Sequence, residues 1–173
     1  EILKLNDESI ELYDISNSKI IYEFTKQYED YIKEDDIVEA IKKFNKLRVL
    51  CAVKLSDQGV YKMNEKIERL LKNSLKDNPK LFNPSGDCYH NQPIIVRKNQ
   101  RDLNLSNGDT GIIRRSKKHD NRLIAFFPIK TMDSKGMYFD DVFTVNPGFI
   151  SEYQTVFAMT IHKSQGSEYN KVL

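Results

Sequence analysis

Two short apolar runs constrain the fold of this chain more than any other feature of its sequence. Residues 48–54 (RVLCAVK) and 155–160 (TVFAMT) are mainly apolar and do not alternate with polar residues. A strand with one exposed face alternates, whereas a strand covered on both faces of a parallel sheet does not. We therefore predict that both runs are buried strands of a parallel α/β sheet.

Helical patterns flank the first of these runs. Ser56 and Asp57 are residue types that cap helix N-termini, and one-sided apolar positions then continue to about Asn73. A strand, a short loop and a helix form the repeating unit of a parallel α/β sheet. Two further helices are predicted over residues 18–47, where apolar side chains recur at intervals of three and four.

A different pattern occupies the region between the two apolar runs. Short strand candidates cover residues 93–97, 110–114, 123–127 and 138–145, and turn-forming residues separate them. Several short strands at this spacing are typical of a small β-barrel. The predicted fold class is therefore a parallel α/β sheet with helices and a small inserted barrel.

Composition narrows the possible functions. The formal net charge is only +2, so any contact with nucleic acid must come from a local surface. The two cysteines, Cys51 and Cys88, and the scattered histidines predict neither a disulfide framework nor a metal site, with Cys51 a buried thiol. The absence of a long apolar run and of a signal peptide predicts a cytoplasmic location without membrane contact. A start without Met and an end in an apolar stretch favour a piece of a longer protein.

The segment that follows the second apolar run carries the most chemistry. Residues 160–168 (TIHKSQGSE) combine hydroxyl, imidazole and ammonium groups, all of which bind phosphate oxygens. Backbone N–H groups add affinity for anions if a helix begins here. Gly166 permits close approach of a ligand to the backbone, and Glu168 can accept hydrogen bonds from a sugar. The alternative is a polar loop whose Thr, Ser and Lys side chains only cap a helix.

This run, followed by the aromatic Tyr169, resembles motif V of superfamily-one DNA helicases of the exodeoxyribonuclease V alpha-subunit (RecD) type. In that family, motif V spans the cleft between two RecA-like motor domains, with single-stranded DNA on one side and the nucleotide on the other. The resemblance implies that DNA contacts come from Thr160, His162, Lys163 and Ser164. It implies that nucleotide contacts come from Gln165, Gly166 and Glu168.

Two other segments resemble the same family. Residues 50–53 and 59–68 are similar to its motif IV region, although 55–58 (LSDQ) replaces the usual basic, Gly-Pro-rich turn, so we assign no ATP contact there. Asn64 in this region is expected to bond a neighbouring loop from its helix face. Residues 91–99 and 105–113 resemble a stretch that enters a small SH3-like barrel, with Asn91 where Gly is usual. Asn107 is a candidate DNA contact there, although Asn-Gly turn chemistry alone accounts for it.

The barrel candidate also carries basic side chains close together in sequence. Such a cluster beside strands can bind a nucleic-acid backbone, but it can equally be a solvated hairpin, and Asp133, Asp140 and Asp141 offset part of its charge. The cluster consists of Arg114, Arg115, Lys117, Lys118, His119 and Arg122.

The resemblance implies the second motor domain of such a helicase, with an SH3-like insertion. No Gly-x-x-x-x-Gly-Lys-Ser/Thr pattern or acidic Walker-B strand is visible, and motif VI is expected beyond Leu173. We therefore expect no complete catalytic site and no ATP hydrolysis by this segment alone. The expected organisation is a helical lead-in (1–47), the RecA-like domain in two parts (48–106 and 152–173) and the insertion (107–151).

The activity implied for the parent protein is ATP- and Mg²⁺-dependent movement in the 5′ to 3′ direction on single-stranded DNA. Its implied partners are the two other subunits of exodeoxyribonuclease V, of the RecB and RecC type, in double-strand-break repair and recombination. One alternative is a stand-alone RecD-like or conjugative relaxase helicase. Another is a non-enzymatic module that binds DNA or protein.

Overall fold

The computed structural model describes residues 10, 11, 13, 18–132 and 136–173. Most of the first 17 residues of the predicted lead-in, and the turn that contains Asp133, lie outside this description. The described part begins with three helices, α1 (Ser18–Lys26), α2 (Glu29–Ile32) and α3 (Ile37–Asn45). The first of the two predicted helices is therefore broken, because the chain turns at residues 27–28 before α2 begins.

The first apolar run forms the central strand of a parallel sheet. Strand β1 (Leu47–Cys51) pairs in parallel with β7 (Ala158–Thr160) on one side and with β8 (Lys171–Val172) on the other. Val49 lies opposite Ala158 and Cys51 lies opposite Thr160. Helices and loops cover the sheet, which explains why apolar and polar residues do not alternate along β1. The prediction of parallel strands is confirmed for β1 and β7.

Helix α4 (Val60–Ser74) follows β1, and its N-cap is Gly59, not Ser56 or Asp57. The loop folds back on itself before the helix begins, because the Gly59 N–H donates to Ser56 O and the Val60 N–H donates to Val53 O. A Cβ atom at residue 59 would lie 2.5 Å from the carbonyl oxygen of Lys54. Glycine is therefore required by this close approach, and the capping prediction is wrong by two to three residues.

A five-stranded antiparallel sheet forms the second layer. It contains β2 (Gln92–Val96), β3 (Thr110–Ser116), β4 (Arg122–Met132), β5 (Tyr138–Val145) and β6 (Tyr153–Thr155), in the order β5-β4-β3-β2-β6. The four strands predicted between the apolar runs are all present within one to five residues of their predicted ends. The sheet also includes β2 and β6, which lie on either side of the expected 107–151 insertion. The division of the chain into a motor domain and this insertion remains a proposal.

The second apolar run, predicted as one strand, is divided between the two sheets. Its first residue, Thr155, ends β6, and β7 begins at Ala158. Between them, the Val156 N–H donates to Pro93 O of the antiparallel sheet, while Phe157 O accepts from the Val49 N–H of the parallel sheet. Residues 156–159 are all buried because the run passes through the core between the sheets, so its apolar character does not reveal the change of sheet.

An aromatic cluster packs the three helices against this crossing point. The ring of Phe157 lies 5.1 Å from that of Tyr28, 6.3 Å from Phe44 and 6.2 Å from Phe82, measured between centroids. Each buried aromatic side chain contributes roughly 1.5–3 kcal/mol from the removal of apolar surface from water. The Tyr28 hydroxyl donates to Phe157 O at 3.1 Å, so its polar end is also satisfied. The cluster therefore fixes the position of β7 and of the residues that follow it.

In the described part of the chain, no helix combines the length and the apolar character needed to cross a membrane. Cys51 and Cys88 are both free thiols, and Cys51 is buried as expected.

Candidate functional site

The polar segment 160–168 leaves the carboxyl edge of the parallel sheet. Thr160 is the last residue of β7 and pairs with Cys51, the last residue of β1. The chain then forms a single 3₁₀ turn (Ile161–Ser164), so the helix considered from the sequence does not begin here. His162, Gln165, Gly166 and Glu168 are exposed, and Thr160, Lys163 and Ser164 are half-buried. The segment is thus presented to solvent at the end of the sheet where ligands of α/β folds bind.

Local hydrogen bonds explain the shape of this turn. The Thr160 hydroxyl accepts from the Lys163 N–H at 3.4 Å, and the Ser164 hydroxyl donates to Ile161 O at 2.8 Å. Thr160 therefore has the capping role considered as the alternative, although it caps a 3₁₀ turn, and Ser164 bonds back to a carbonyl of the same turn. Gly166 has φ +81°, a backbone conformation that favours glycine, and no atom lies within 4 Å of where its Cβ would be. The glycine is needed for backbone conformation, not for lack of space.

Tyr169 and Arg48 anchor the far end of the turn. The guanidinium of Arg48 is buried between the rings of Phe44 and Tyr169, at 4.4 and 5.1 Å from their centroids. Its Nη1 donates to Val156 O at 2.6 Å. Because a cation over an aromatic face is attracted by the ring, this stacking holds the return of the chain towards β8. The sequence interpretation missed Arg48, whose only signal is a charge at the start of an apolar strand.

Helix α4 holds β7 through one amide side chain. Asn64 Nδ2 donates to Val60 O at 2.9 Å and to Ala158 O at 3.0 Å, and Asn64 Oδ1 accepts from the Ala158 N–H at 2.9 Å. The expectation that Asn64 bonds a neighbouring segment is correct, with a strand in place of a loop as its partner. The amide occupies the free edge of β7 and so fixes the strand that carries the polar turn.

A small cationic recess lies beside the turn. Lys54 follows β1, Arg97 follows β2 and Lys163 lies in the 3₁₀ turn, and all three line a cavity of about 10 Å³ together with Thr160. The Lys163 ammonium is buried without a hydrogen-bond partner in the described part of the chain. Burial lowers the pKa of Lys163, and the charges of Arg97 and Lys54 lower it further. The sequence interpretation missed Lys54 and Arg97, although Lys54 ends the first apolar run and Arg97 directly follows β2.

Asn107 lies apart from this recess. It is exposed in the turn before β3, where its N–H donates to Asn99 Oδ1 at 2.7 Å, and Gly108 has φ +103°. The turn chemistry expected of Asn-Gly is therefore present, and Asn107 is not among the residues that line the recess.

The basic cluster at 114–122 is divided by the alternation of β3. Arg115, Lys117, Lys118, His119 and Arg122 are exposed, whereas Arg114 is buried. The Arg114 guanidinium donates to Asn91 Oδ1 at 2.5 Å, to Glu34 O at 2.7 Å and to Tyr31 O at 2.6 Å. Arg114 therefore cannot contribute to a nucleic-acid surface, and the candidate cluster is smaller than the sequence indicated. Asn91 has φ +63°, in agreement with the resemblance, which leads us to expect glycine at this position.

Comparison with known proteins agrees with the resemblance in sequence. The chain is 31% identical over 134 residues to the RecBCD enzyme subunit RecD of Mycolicibacterium smegmatis, which covers 78% of this chain and 21% of that protein. It is 31% identical over 165 residues to RecD of Buchnera aphidicola from Acyrthosiphon pisum, covering 87% of this chain and 24% of that protein. The chain thus spans about a fifth to a quarter of the length of these curated relatives.

Among solved structures, the chain is similar to Bacteroides Pif1 helicase in complex with ADP-AlF3 and single-stranded DNA. The sequence identity is 15%, the TM-score is 0.36, and the match covers 88% of this chain and 42% of that one. No protein-family model matches the chain. The fold assignment rests on the strand pairings described above, a mixed α/β architecture with one parallel and one antiparallel sheet. Over most of its own length, the chain is a RecD-like segment.

Proposed function

We propose that this chain is part of an ATP-dependent 5′ to 3′ DNA helicase subunit of the exodeoxyribonuclease V type, acting in double-strand-break repair and recombination. The observation that carries the proposal is the exposure of residues 160–168 directly after β7, at the carboxyl edge of the parallel sheet. The similarity to RecD over most of this chain supports the same assignment. In the complete protein, this segment would form the second motor domain.

In this proposal, the two flanks of the turn have different ligands. Thr160, His162, Lys163 and Ser164 contact single-stranded DNA, as does Asn107 from the turn before β3. Gln165, Gly166 and Glu168 contact the nucleotide. The exposed amide and carboxylate of Gln165 and Glu168 fit hydrogen bonding to a sugar or base. Closure of the cleft around ATP would then reach the DNA backbone through the 3₁₀ turn.

ATP phosphates and Mg²⁺ would be held mainly outside this segment. In the described residues, no group of three or more His, Cys, Asp and Glu side chains is arranged to hold a metal ion. In the complete protein, hydrolysis of ATP, with Mg²⁺ as its cofactor, would supply the free energy of translocation. The residues of this chain would position DNA and transmit the closure. The proposed partners are subunits of the RecB and RecC type.

DNA binding by the turn is tested by fluorescence anisotropy with labelled oligo(dT). His162→Ala is expected to weaken binding about fivefold, the loss of roughly 1 kcal/mol that one nucleic-acid contact contributes. Lys72→Ala, an exposed cation on α4, is the control for a general change of charge. Binding should fall steeply with salt and depend little on base sequence, because phosphate contacts dominate.

Coupling to the nucleotide is tested in a complete protein that carries this chain. Glu168→Ala is expected to raise the KM for ATP, and His162→Ala to reduce stimulation of ATP hydrolysis by DNA. Unchanged DNA affinity and unchanged stimulation in both variants would instead favour the non-enzymatic binding module. Activity without any RecB- or RecC-type subunit would favour a stand-alone helicase.

A further inference from the structure

The recess formed by Lys54, Arg97 and Lys163 has the features of a preformed anion site. Its eight lining residues include these three cations and no carboxylate. None of the three takes part in a salt bridge within the described ranges. Three like charges beside one small cavity repel one another, and this repulsion is removed when an anion binds between them.

The buried ammonium of Lys163 points to the same conclusion independently. A charged group buried without a hydrogen bond is strongly unfavourable and is seldom retained without a reason. Thr25 Oγ1 and Arg48 Nε are the other such atoms in the described part of the chain, and the Arg48 guanidinium still bonds through its other nitrogens. Lys163 therefore stands out as a cation whose partner is not another described part of this chain.

The donors around the recess suit a phosphate group. Arg97 Nη1 donates to Gln154 Oε1 at 3.0 Å, which orients the guanidinium and leaves its remaining N–H groups for another acceptor. The Thr160 hydroxyl adds a further donor at the wall. The cavity volume of about 10 Å³ is the space of one water molecule, so one oxygen of a bound group fits inside and the rest stays at the mouth.

We propose that Lys54, Arg97 and Lys163 together bind one phosphate group at the junction of the two sheets. The proposal rests on the proposed function and deepens it, because it adds Lys54 and Arg97 to a site assigned only to the turn. Strands β1, β2 and β7 each deliver one cation, so the phosphate also links the parallel to the antiparallel sheet. The phosphate belongs either to the backbone of single-stranded DNA or to a nucleotide, which share this chemistry.

The first test measures thermal unfolding of the chain in potassium phosphate and in potassium chloride at equal ionic strength and pH. Phosphate is expected to raise the Tm of the wild type, since a ligand that binds only the folded state stabilises it. Lys163→Met should abolish the phosphate-specific rise. In chloride the same variant should melt about 2 °C higher than wild type, because it removes an unpaired buried charge without a large loss of volume. Lys72→Met is the matched control and should retain the rise.

The second test identifies the source of the phosphate. Oligo(dT) binding is measured against salt for the wild type and for Lys54→Gln, Arg97→Gln and Lys163→Met, and ATP binding is measured for the same proteins. If DNA supplies the phosphate, these variants weaken oligo(dT) binding about fivefold and reduce the salt slope by about 0.7, the value for one phosphate of a single strand. If a nucleotide supplies it, all three variants weaken ATP binding, while Lys54→Gln and Arg97→Gln leave oligo(dT) binding unchanged.

Different results of these two tests would contradict the phosphate site and the helicase assignment. Equal Tm values of the wild type in phosphate and chloride, or a phosphate-specific rise retained by Lys163→Met, would overturn the phosphate site. If oligo(dT) still binds and responds to His162→Ala, the helicase assignment survives that result. A phosphate-specific rise that Lys163→Met removes, without binding of oligo(dT) or ATP, would support the site and count against the helicase assignment.

Discussion

Two regions of the molecule bury cationic groups, and they treat them in opposite ways. Beside the antiparallel sheet, the guanidinium of Arg114 bonds to Asn91, Glu34 and Tyr31, so its charge is met by oxygen acceptors. At the edge of the parallel sheet, the ammonium of Lys163 is buried beside Arg97 without an acceptor in the described part of the chain. We call the first region the closed region, because oxygen atoms of the chain itself satisfy the buried cation. We call the second the open region, because we propose that a bound ligand satisfies its cation.

Burial of a charged side chain therefore does not by itself indicate the role of that side chain. A buried cation whose donors are all used stabilises the fold, and replacing it leaves unsatisfied carbonyl groups behind. A buried cation without acceptors reduces stability until an anion binds. Substitutions in the two regions should therefore change stability in opposite directions.

The largest expected effect is in the closed region. Arg114→Ala should lower the free energy of unfolding by about 3 kcal/mol, since it removes three charge-assisted hydrogen bonds and leaves Tyr31 O and Asn91 Oδ1 buried. Arg115→Ala is the control, because this exposed neighbour should change stability by less than about 0.5 kcal/mol. Urea denaturation measures both. Equal effects of the two variants would contradict the distinction between the regions.

A smaller effect is expected where α4 supports the open region. Asn64→Ala should lower the free energy of unfolding by about 2 kcal/mol, because the N–H and carbonyl groups of Ala158 lose their partner at the buried edge of β7. Asn73→Ala, on the exposed side of the same helix, should have little effect. Chemical denaturation of both variants tests whether the edge of β7 is fixed by this amide. Because alanine is a better helix former than asparagine, a similar loss in both variants would contradict a specific role for the contact of Asn64 with β7.

The turn itself should respond to a change in its backbone. Gly166→Ala should cost about 1 kcal/mol, because an L-residue with a side chain is strained at φ +81°. Gly148→Ala, at a position without positive φ, should be tolerated better. Thermal unfolding of the two variants gives the comparison. If Gly166→Ala were neutral in stability, the turn would adopt another conformation than the one described.

A further expected effect concerns pH and the border of the closed region. His90 Nδ1 accepts from the Arg115 N–H at 3.1 Å, and burial, with the charges of Arg114 and Arg115, lowers the pKa of His90 to about 4. Between pH 6.5 and 4 the unfolded chain therefore binds a proton at this residue that the folded chain does not. The contribution of the neutral His90 side chain to the free energy of unfolding should be fully present above pH 6.5 and should decline as the pH falls to about 4.

The measurement for this prediction is the unfolding free energy of the wild type and of His90→Gln over that pH range. The variant should show a flatter profile, and the difference between the two proteins should shrink as pH falls. Carboxyl groups that titrate at the lower end are present in both proteins, so they largely cancel. Parallel profiles would mean that His90 is protonated equally in the folded and unfolded states.

Local pattern in the sequence was sufficient for most elements of this fold. Apolar runs predicted β1 and β7, periodicity predicted α4, and turn residues separated the strands of the antiparallel sheet. Pattern failed where particular backbone and side-chain contacts decide the local conformation. The cap of α4 is Gly59 because the loop folds onto Lys54, and the polar turn forms one 3₁₀ turn because its hydroxyls bond locally. The polar segment 160–168 could be located from sequence alone, but its assignment as motif V and the roles of its side chains remain predictions.

The sequence by itself determined the RecD-like relationship, the mixed α/β class and the polar segment after the last buried strand. These depend on residue types and spacings that are visible along the chain. Only the tertiary structure decided that residues 155–160 change sheets, that Arg114 points inward and that Lys54, Arg97 and Lys163 meet. The reason is physical. The spacing of apolar residues along the chain indicates which side chains are buried, but the partners of those side chains come from segments far away in sequence.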